Sequence, residues 1–192
     1  MRKTLLSSLL LLGSLGSASA QDWTIDVYGG LGADNSLLWD GSAFDTGNAT
    51  AFGLGVYKTA LLDGFAIGVD VMASDADYIG DTDSISATSV MLASRYALPI
   101  SDSLSATFGA GLGAMAVSYN VGQESNGYTD VSKTVAGGQA EIGLSYQVAN
   151  GPAVFGAVKY QAPFGDVEFD DGLGLVIEYN STSLLFGLSF RM

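Results

Sequence analysis

From residue 23 to residue 192 the chain keeps returning to a two-residue rhythm. In "STSLLFGLSFRM", Leu184, Phe186, Leu188, Phe190 and Met192 share one parity, while Leu185, Gly187, Ser189 and Arg191 take the other. Side chains of a β-strand point alternately to opposite faces, so this period specifies a strand with one strongly apolar face. The same rhythm runs through "WTIDVYGGLGA", "TAFGLGVYK", "FAIGVDVMA", "SVMLASRYAL", "LSATFGAGLG", "QAEIGLSYQV" and "AVFGAVKYQ". That makes eight strands and no amphipathic helix. Three connections are tight and rich in turn residues, around Asp63-Gly64, Ser101-Asp102 and Asn150-Gly151, and suit short hairpins. The other four are long, roughly 34–48, 74–84, 120–131 and 162–181. Long and short alternate strictly, which in an up-and-down barrel gathers the long loops at one end and the turns at the other.

Residues 1–20 stand apart. Arg2 and Lys3 precede a leucine-rich core and then Ala18-Ser19-Ala20, the pattern of a secretory signal peptide cut before Gln21. Residues 21–192 are then one β-barrel domain. Beyond the leader, Lys58, Arg95, Lys133, Lys159 and Arg191 face twenty acids, which excludes nucleic acid as a partner because phosphate binding needs clustered cations. The absence of cysteine removes disulfides, thiolate metal sites and an acylated anchor.

Periodicity alone does not say what the apolar face touches. A soluble lipocalin-like barrel around a lipid would turn it inward; a transmembrane barrel turns it outward. Two features favour the second. The opposite parity is rich in Gly, Ala and Ser, as a narrow barrel interior requires. The apolar parity also carries Trp23, Phe65, Tyr96, Tyr146 and Phe190 near the tight-turn ends, which fits an interfacial aromatic belt. The fold class expected is all-β: an eight-stranded antiparallel up-and-down transmembrane β-barrel with four long external loops and three short periplasmic turns. Strand 8 must pair with strand 1, because an open edge in hydrocarbon leaves backbone groups unpaired. The stretch 172–180 reads as an upward extension of strand 8.

The export leader, the eight Gly-rich alternating segments, "FGDVEF" at 164–169 and the ending "LLFGLSFRM" resemble the small outer-membrane β-barrel family that includes OmpA-like and opacity-type barrels. The resemblance covers essentially the whole chain after the leader. It implies a bacterial outer-membrane location, contact with outer-membrane lipid and lipopolysaccharide, and a C-terminal signal for the barrel-assembly machinery formed here by Phe186, Leu188, Phe190 and Met192. Relatives commonly close on an aromatic residue; Met192 holds that place and Phe190 lies two before it.

The chain has no histidine. Barrel enzymes of the lipase, deacylase, palmitoyltransferase and protease types rely on histidine for proton transfer or nucleophile activation, so none of those mechanisms carries over. No catalytic residue and no cofactor is expected. Asp26, Asp70, Arg95, Glu141 and Lys159 all fall on the inward parity, and the cost of burying unpaired charge predicts that the two cations pair with the three acids. Asp75, Asp77, Asp81 and Asp83 supply an oxygen-rich loop of the kind divalent cations favour, without the spacing of the twelve-residue calcium loop. Asp166, Glu168, Asp170 and Asp171 form a second acidic group, and Trp39, Phe44, Tyr78 and Tyr128 fall in the same loops, where they suit a surface partner or the barrel rim. The reading is a non-enzymatic envelope protein with a structural or surface-interaction role. A narrow passive pore is the alternative, followed by a soluble periplasmic lipid binder and a lipid-modifying enzyme.

Overall fold

The computed structural model describes residues 23–34, 36–39, 42–59, 63–78, 83–120, 130–149, 151–169 and 176–192. The leader 1–20, Asp81, Tyr128, Asp170 and Asp171 lie outside the described residues. Among the described residues eleven strands run in chain order: β1 (Trp23–Asp34), β2 (Ser36–Trp39), β3 (Ser42–Thr59), β4 (Phe65–Tyr78), β5 (Ser84–Pro99), β6 (Leu104–Asn120), β7 (Val131–Gln147), β8 (Ala153–Pro163), β9 (Val167–Glu168), β10 (Val176–Tyr179) and β11 (Ser181–Arg191). Eight of them, β1, β3–β8 and β11, pair antiparallel with their neighbours around a closed wall. Closure is at β1, which pairs with β3 from Trp23↔Lys58 to Leu31↔Thr50 and with β11 from Thr24↔Arg191 onward. Reciprocal backbone bonds between Trp23 and Met192, 2.9 and 3.3 Å, clamp the seam at its lower end. Each of the eight wall strands therefore has a neighbour on both sides, which is the condition for crossing hydrocarbon.

The alternation decides the two faces. Leu144, Phe186 and Leu188 are 53, 62 and 41 % exposed on the outside, while Asp70 and Lys159 are fully buried inside. A soluble body with the apolar parity inward is therefore not this fold. On β4 the outward run Phe65, Ile67, Val69, Val71, Ala73 gives way to Asp75 and Asp77; on β5 it passes from Leu98 to Val90 before Thr88 and Ser86. Such runs match the about 9–11 residues that a tilted strand needs to span a bilayer.

Strands β3 and β5–β7 are 16–18 residues long, well beyond that need. The tight turns hold the surplus to the other end, so the wall continues past the apolar band. Part of the long connections is therefore strand. The 34–48 segment is mostly paired: β2 meets β3 from Ser36↔Asp45 to Trp39↔Ser42, in the register of the β1–β3 pair. Trp39, Phe44 and Tyr78 accordingly belong to β2, β3 and β4. Stretch 162–181 contains β9 and β10, and β10 continues β11 beyond Asn180, pairing with β2 at Tyr179↔Leu37 as β11 pairs with β1.

At the opposite end Gly64 takes a positive φ of 78°, and Gly64 O accepts a bond from Ala97 N at 2.7 Å. In the third turn the left-handed residue is Ala149, with φ 41°, rather than a glycine. The Cβ penalty of that conformation is roughly 1–2 kcal/mol, so Ala149→Gly is expected to raise the urea midpoint of the folded barrel in detergent.

Candidate functional site

The barrel interior is layered, and strand parity places each layer. Going up β8, inward positions are Phe155, Ala157, Lys159 and Gln161; going up β5 they are Arg95, Ala93, Met91, Ser89, Ala87 and Ile85. Because β4, β5, β7 and β8 are held in fixed register, Asp70, Arg95, Glu141 and Lys159 converge: Glu141 lies opposite Lys159, and Ala66 opposite Arg95. Asp26 joins them from β1.

Arg95 bridges two acids, pairing with Asp26 and donating to Glu141 at 3.2 Å. Lys159 Nζ sits 2.9 and 3.1 Å from the Asp70 carboxylate and 3.1 Å from Glu141. Two tyrosines complete the cluster. Tyr28 donates to Asp70 at 2.8 Å and Tyr57 to its other oxygen at 3.0 Å. Lys159 also donates to the Tyr28 hydroxyl at 3.0 Å, and the Arg95 guanidinium lies 4.3 Å from the centre of the Tyr57 ring. Asp26, Asp70, Arg95, Glu141 and Lys159 are thus in one network, and sequence reasoning missed both phenols. The available signal was the glycine on the same face: a side chain at Gly53 would collide with the Tyr28 ring, and a Cβ at Gly55 would lie 2.5 Å from the Tyr57 ring and 3.3 Å from Asp70. Gly55→Val is expected to lower stability by about 1–3 kcal/mol through overpacking, read as a shift in the urea midpoint.

Three carboxylates share two cations, so the network carries a surplus negative charge. Asp26 Oδ1 is buried without a hydrogen-bond partner, which marks Asp26 as the acid least compensated. Asp26→Asn therefore leaves Arg95–Glu141 and Lys159–Asp70 balanced and is expected to cost under about 1 kcal/mol, whereas Asp70→Asn strips Lys159 of its nearest acid and costs about 3–5 kcal/mol. Urea titrations of the two variants side by side check the ranking.

Above the charges lies a neutral polar layer, in which Gln161 Nε2 donates to Ser89 and to Gln139, each at 2.9 Å. Ile85 and Val117 above it, Met115 level with Ser89 and Met91 one inward position below Ser89 form one buried apolar cluster with Val167, Phe169, Ile177 and Tyr179 from β9, the residue after β9 and β10. These last four add an apolar plug to the upper part of the interior. Below the charges a cavity of about 470 Å³, lined by Thr24, Thr107, Ser145, Gln147 and Ser189, opens at the tight-turn end with Arg95 as its ceiling.

At the wall's outer surface Trp23, Tyr96, Tyr146 and Phe190 are exposed and Phe65 is half-buried, all near the tight-turn end; Phe186, Leu188 and Met192 are exposed on the same outward parity. Asp75 and Asp77 lie past the apolar run on β4, where partial burial and then the Asp77 carboxylate hold Asp75 above the usual carboxylate range. Asp83 is buried and accepts a bond from Tyr119 on β6. Among the described residues no group of three or more acids is arranged to hold a metal ion.

A closed eight-stranded wall with lipid-facing apolar parity and a filled charged interior is now matched by sequence comparison. The model of the outer membrane protein beta-barrel domain aligns with residues 7–191. The chain belongs to this outer-membrane β-barrel family. Its place is the bacterial outer membrane. Among solved structures it is similar to Neisserial surface protein A, with 11 % identity, TM-score 0.59, and coverage of 88 % of this chain and 97 % of that one. The outer membrane protein OprG from Pseudomonas aeruginosa gives 16 %, 0.57, 90 % and 97 %. A major outer membrane protein from Thermus thermophilus gives 13 %, 0.58, 88 % and 99 %. At these identities the likeness is one of fold. No protein of curated function shows significant sequence similarity to the chain.

Proposed function

We propose that this outer-membrane barrel is a non-enzymatic envelope component, closed to solutes, that stabilises the membrane and presents its extended outer end to the surroundings. The observation that carries the reading is the doubly filled interior: a charged network held by Arg95 and Lys159 below, and an apolar plug of Val167, Phe169, Ile177 and Tyr179 above. Eight strands enclose a space just wide enough for side chains, and here side chains fill it at both levels. Proton-transfer chemistry of the histidine-dependent kind has no residue to use.

The exposed acids Asp75 and Asp77 stand just above the apolar band, at the level of lipopolysaccharide phosphates, where divalent ions bridge anions of both partners. Phe186, Leu188, Phe190 and Met192 form the apolar face of the closing strand and suit recognition by the barrel-assembly machinery during insertion. Residues 1–20 serve as the export signal. The passive-pore reading retains one supporting feature, the polar cavity that reaches Arg95 from the periplasmic end.

The test is a deletion strain. Loss of the protein is expected to raise sensitivity to detergent and to chelators at least several-fold, with recovery on expression of the wild type and weaker recovery with Asp75→Asn/Asp77→Asn. Unchanged sensitivity together with slower uptake of a small hydrophilic solute would replace the structural reading with the pore.

A further inference from the structure

The lipid-facing wall is not uniformly convex. Where β4 to β8 pass side by side, Ser94, Ala110 and Ala140 are directly opposite one another in register, on one cross-strand row between Ile67 and Tyr160. Leu92 and Leu112 stand on the next row up, which continues into Gly138 and Ala162; Tyr96, Phe108 and Ile142 stand on the row below. Small side chains between two rows of large ones make a trough of about 760 Å³ in the outer wall. Its volume falls within the about 300–1,000 Å³ of ligand clefts. The Ser94 hydroxyl donates to Ala110 O at 3.3 Å, so even the one polar side chain on that row has its hydrogen bond turned into the wall.

The trough is continuous with the apolar surface that contacts lipid, so its occupant comes from hydrocarbon. Crossing four strand spacings makes it roughly 19 Å long, enough for the chain region of a single leaflet, about 15 Å, on an oblique path. Its two ends differ. At the lower end Ile67, one outward position above the belt residue Phe65, blocks it. At the upper end Ala162 leaves it open beside the Phe164 ring, which lies just past the external end of β8 and packs over Gly138, 3.1 Å from where a Cβ would stand. An occupant therefore enters from above.

We propose that this trough is a binding site for one acyl chain of an external-leaflet lipid, lying from beside Phe164 down past Ala162 and over Ala140 and Ala110 toward Ile67. The aromatic ring of Phe164 forms one side wall of the entrance. A chain held there is in contact on both flanks, unlike the annular lipids around the rest of the barrel, so it exchanges slowly and survives detergent extraction.

Native mass spectrometry of the mature protein extracted from outer membranes tests this. One adduct per barrel is expected, with the mass of an external-leaflet lipid. Ala110→Leu/Ala140→Leu, which fills the trough from the lipid side, is expected to reduce the adduct fraction at least tenfold; Val27→Leu on β1 leaves it unchanged. Folding of each variant is read from the mobility difference between unheated and boiled samples, and Ala140→Leu alone replaces the double variant if that one does not fold. No adduct in the wild type, equal retention in the filled variants, an adduct with the mass of a periplasmic-leaflet phospholipid, or a lipid-free dimer that the filled variants disrupt would each overturn the proposal.

Discussion

Lys159→Met is expected to lower the stability of the folded barrel by about 3–5 kcal/mol, among the largest effects of any single substitution in its wall. The reason lies in what the lysine leaves behind. Its ammonium is fully buried and is the near partner of Asp70 and of one Glu141 oxygen. Methionine has a similar stem and no charge, so packing is largely kept while two buried carboxylates lose a cation. Arg95 does not move across to replace it, because it already holds Asp26 and the other Glu141 oxygen. The measurement is a urea titration in detergent micelles, with the fast-migrating unheated band as the folded signal. Adding Asp70→Asn to Lys159→Met is expected to recover part of the loss, since it removes the unpaired acid. A cost under about 1 kcal/mol for the single variant, or no recovery in the pair, would mean that water reaches these groups and that the interior is hydrated at this level.

That network was legible in part. Parity alone assigned Asp26, Asp70, Arg95, Glu141 and Lys159 to the inside, and the cost of burying charge required them to meet. Parity does not give height, however. Height follows from register: in the β4–β5 pair Phe65 lies opposite Tyr96 and Ala66 opposite Arg95, which puts Arg95 two inward positions below Asp70. Tyr28 and Tyr57 were on the correct parity too, but an interior read as a place for small residues gives no reason to weigh two large ones. Their room comes from Gly53 and Gly55 on the same face of β3: Gly55 beside Tyr57 is visible within one strand, while Gly53 beneath Tyr28 is a contact between strands that no single segment displays. The upper plug was less legible still. The extension of strand 8 through Ile177 and Tyr179 was read from the apolar stretch 172–180, but Val167 and Phe169 show the two-residue period for only two positions, too short to separate from a polar loop. What commits them to the interior is the wall already built below them, since β10 continues the register of β11.

Two closures in series have a consequence for conductance that neither has alone. Current through a barrel is limited by its most resistive section, so removing one obstruction leaves the other in control. In planar bilayers the wild type is expected to show no discrete current steps. Phe169→Ser/Ile177→Ser thins the apolar plug, but the Arg95, Asp26, Glu141 and Lys159 contacts below still fill the wall from side to side. Arg95→Ala/Asp26→Ala removes one ion pair and extends the polar cavity upward from the periplasmic end, but Met91, Met115 and Val167 still exclude water above. Each double variant alone is therefore expected to stay closed. The combined four-substitution variant thins both layers at once, and the Gln161, Gln139 and Ser89 layer between them is polar enough to hydrate, so discrete steps are expected there. Steps in the wild type would identify a water path past both layers and make the protein a pore. Steps in either double variant would show that the other layer is not a barrier, and would leave a single gate where the fold places two.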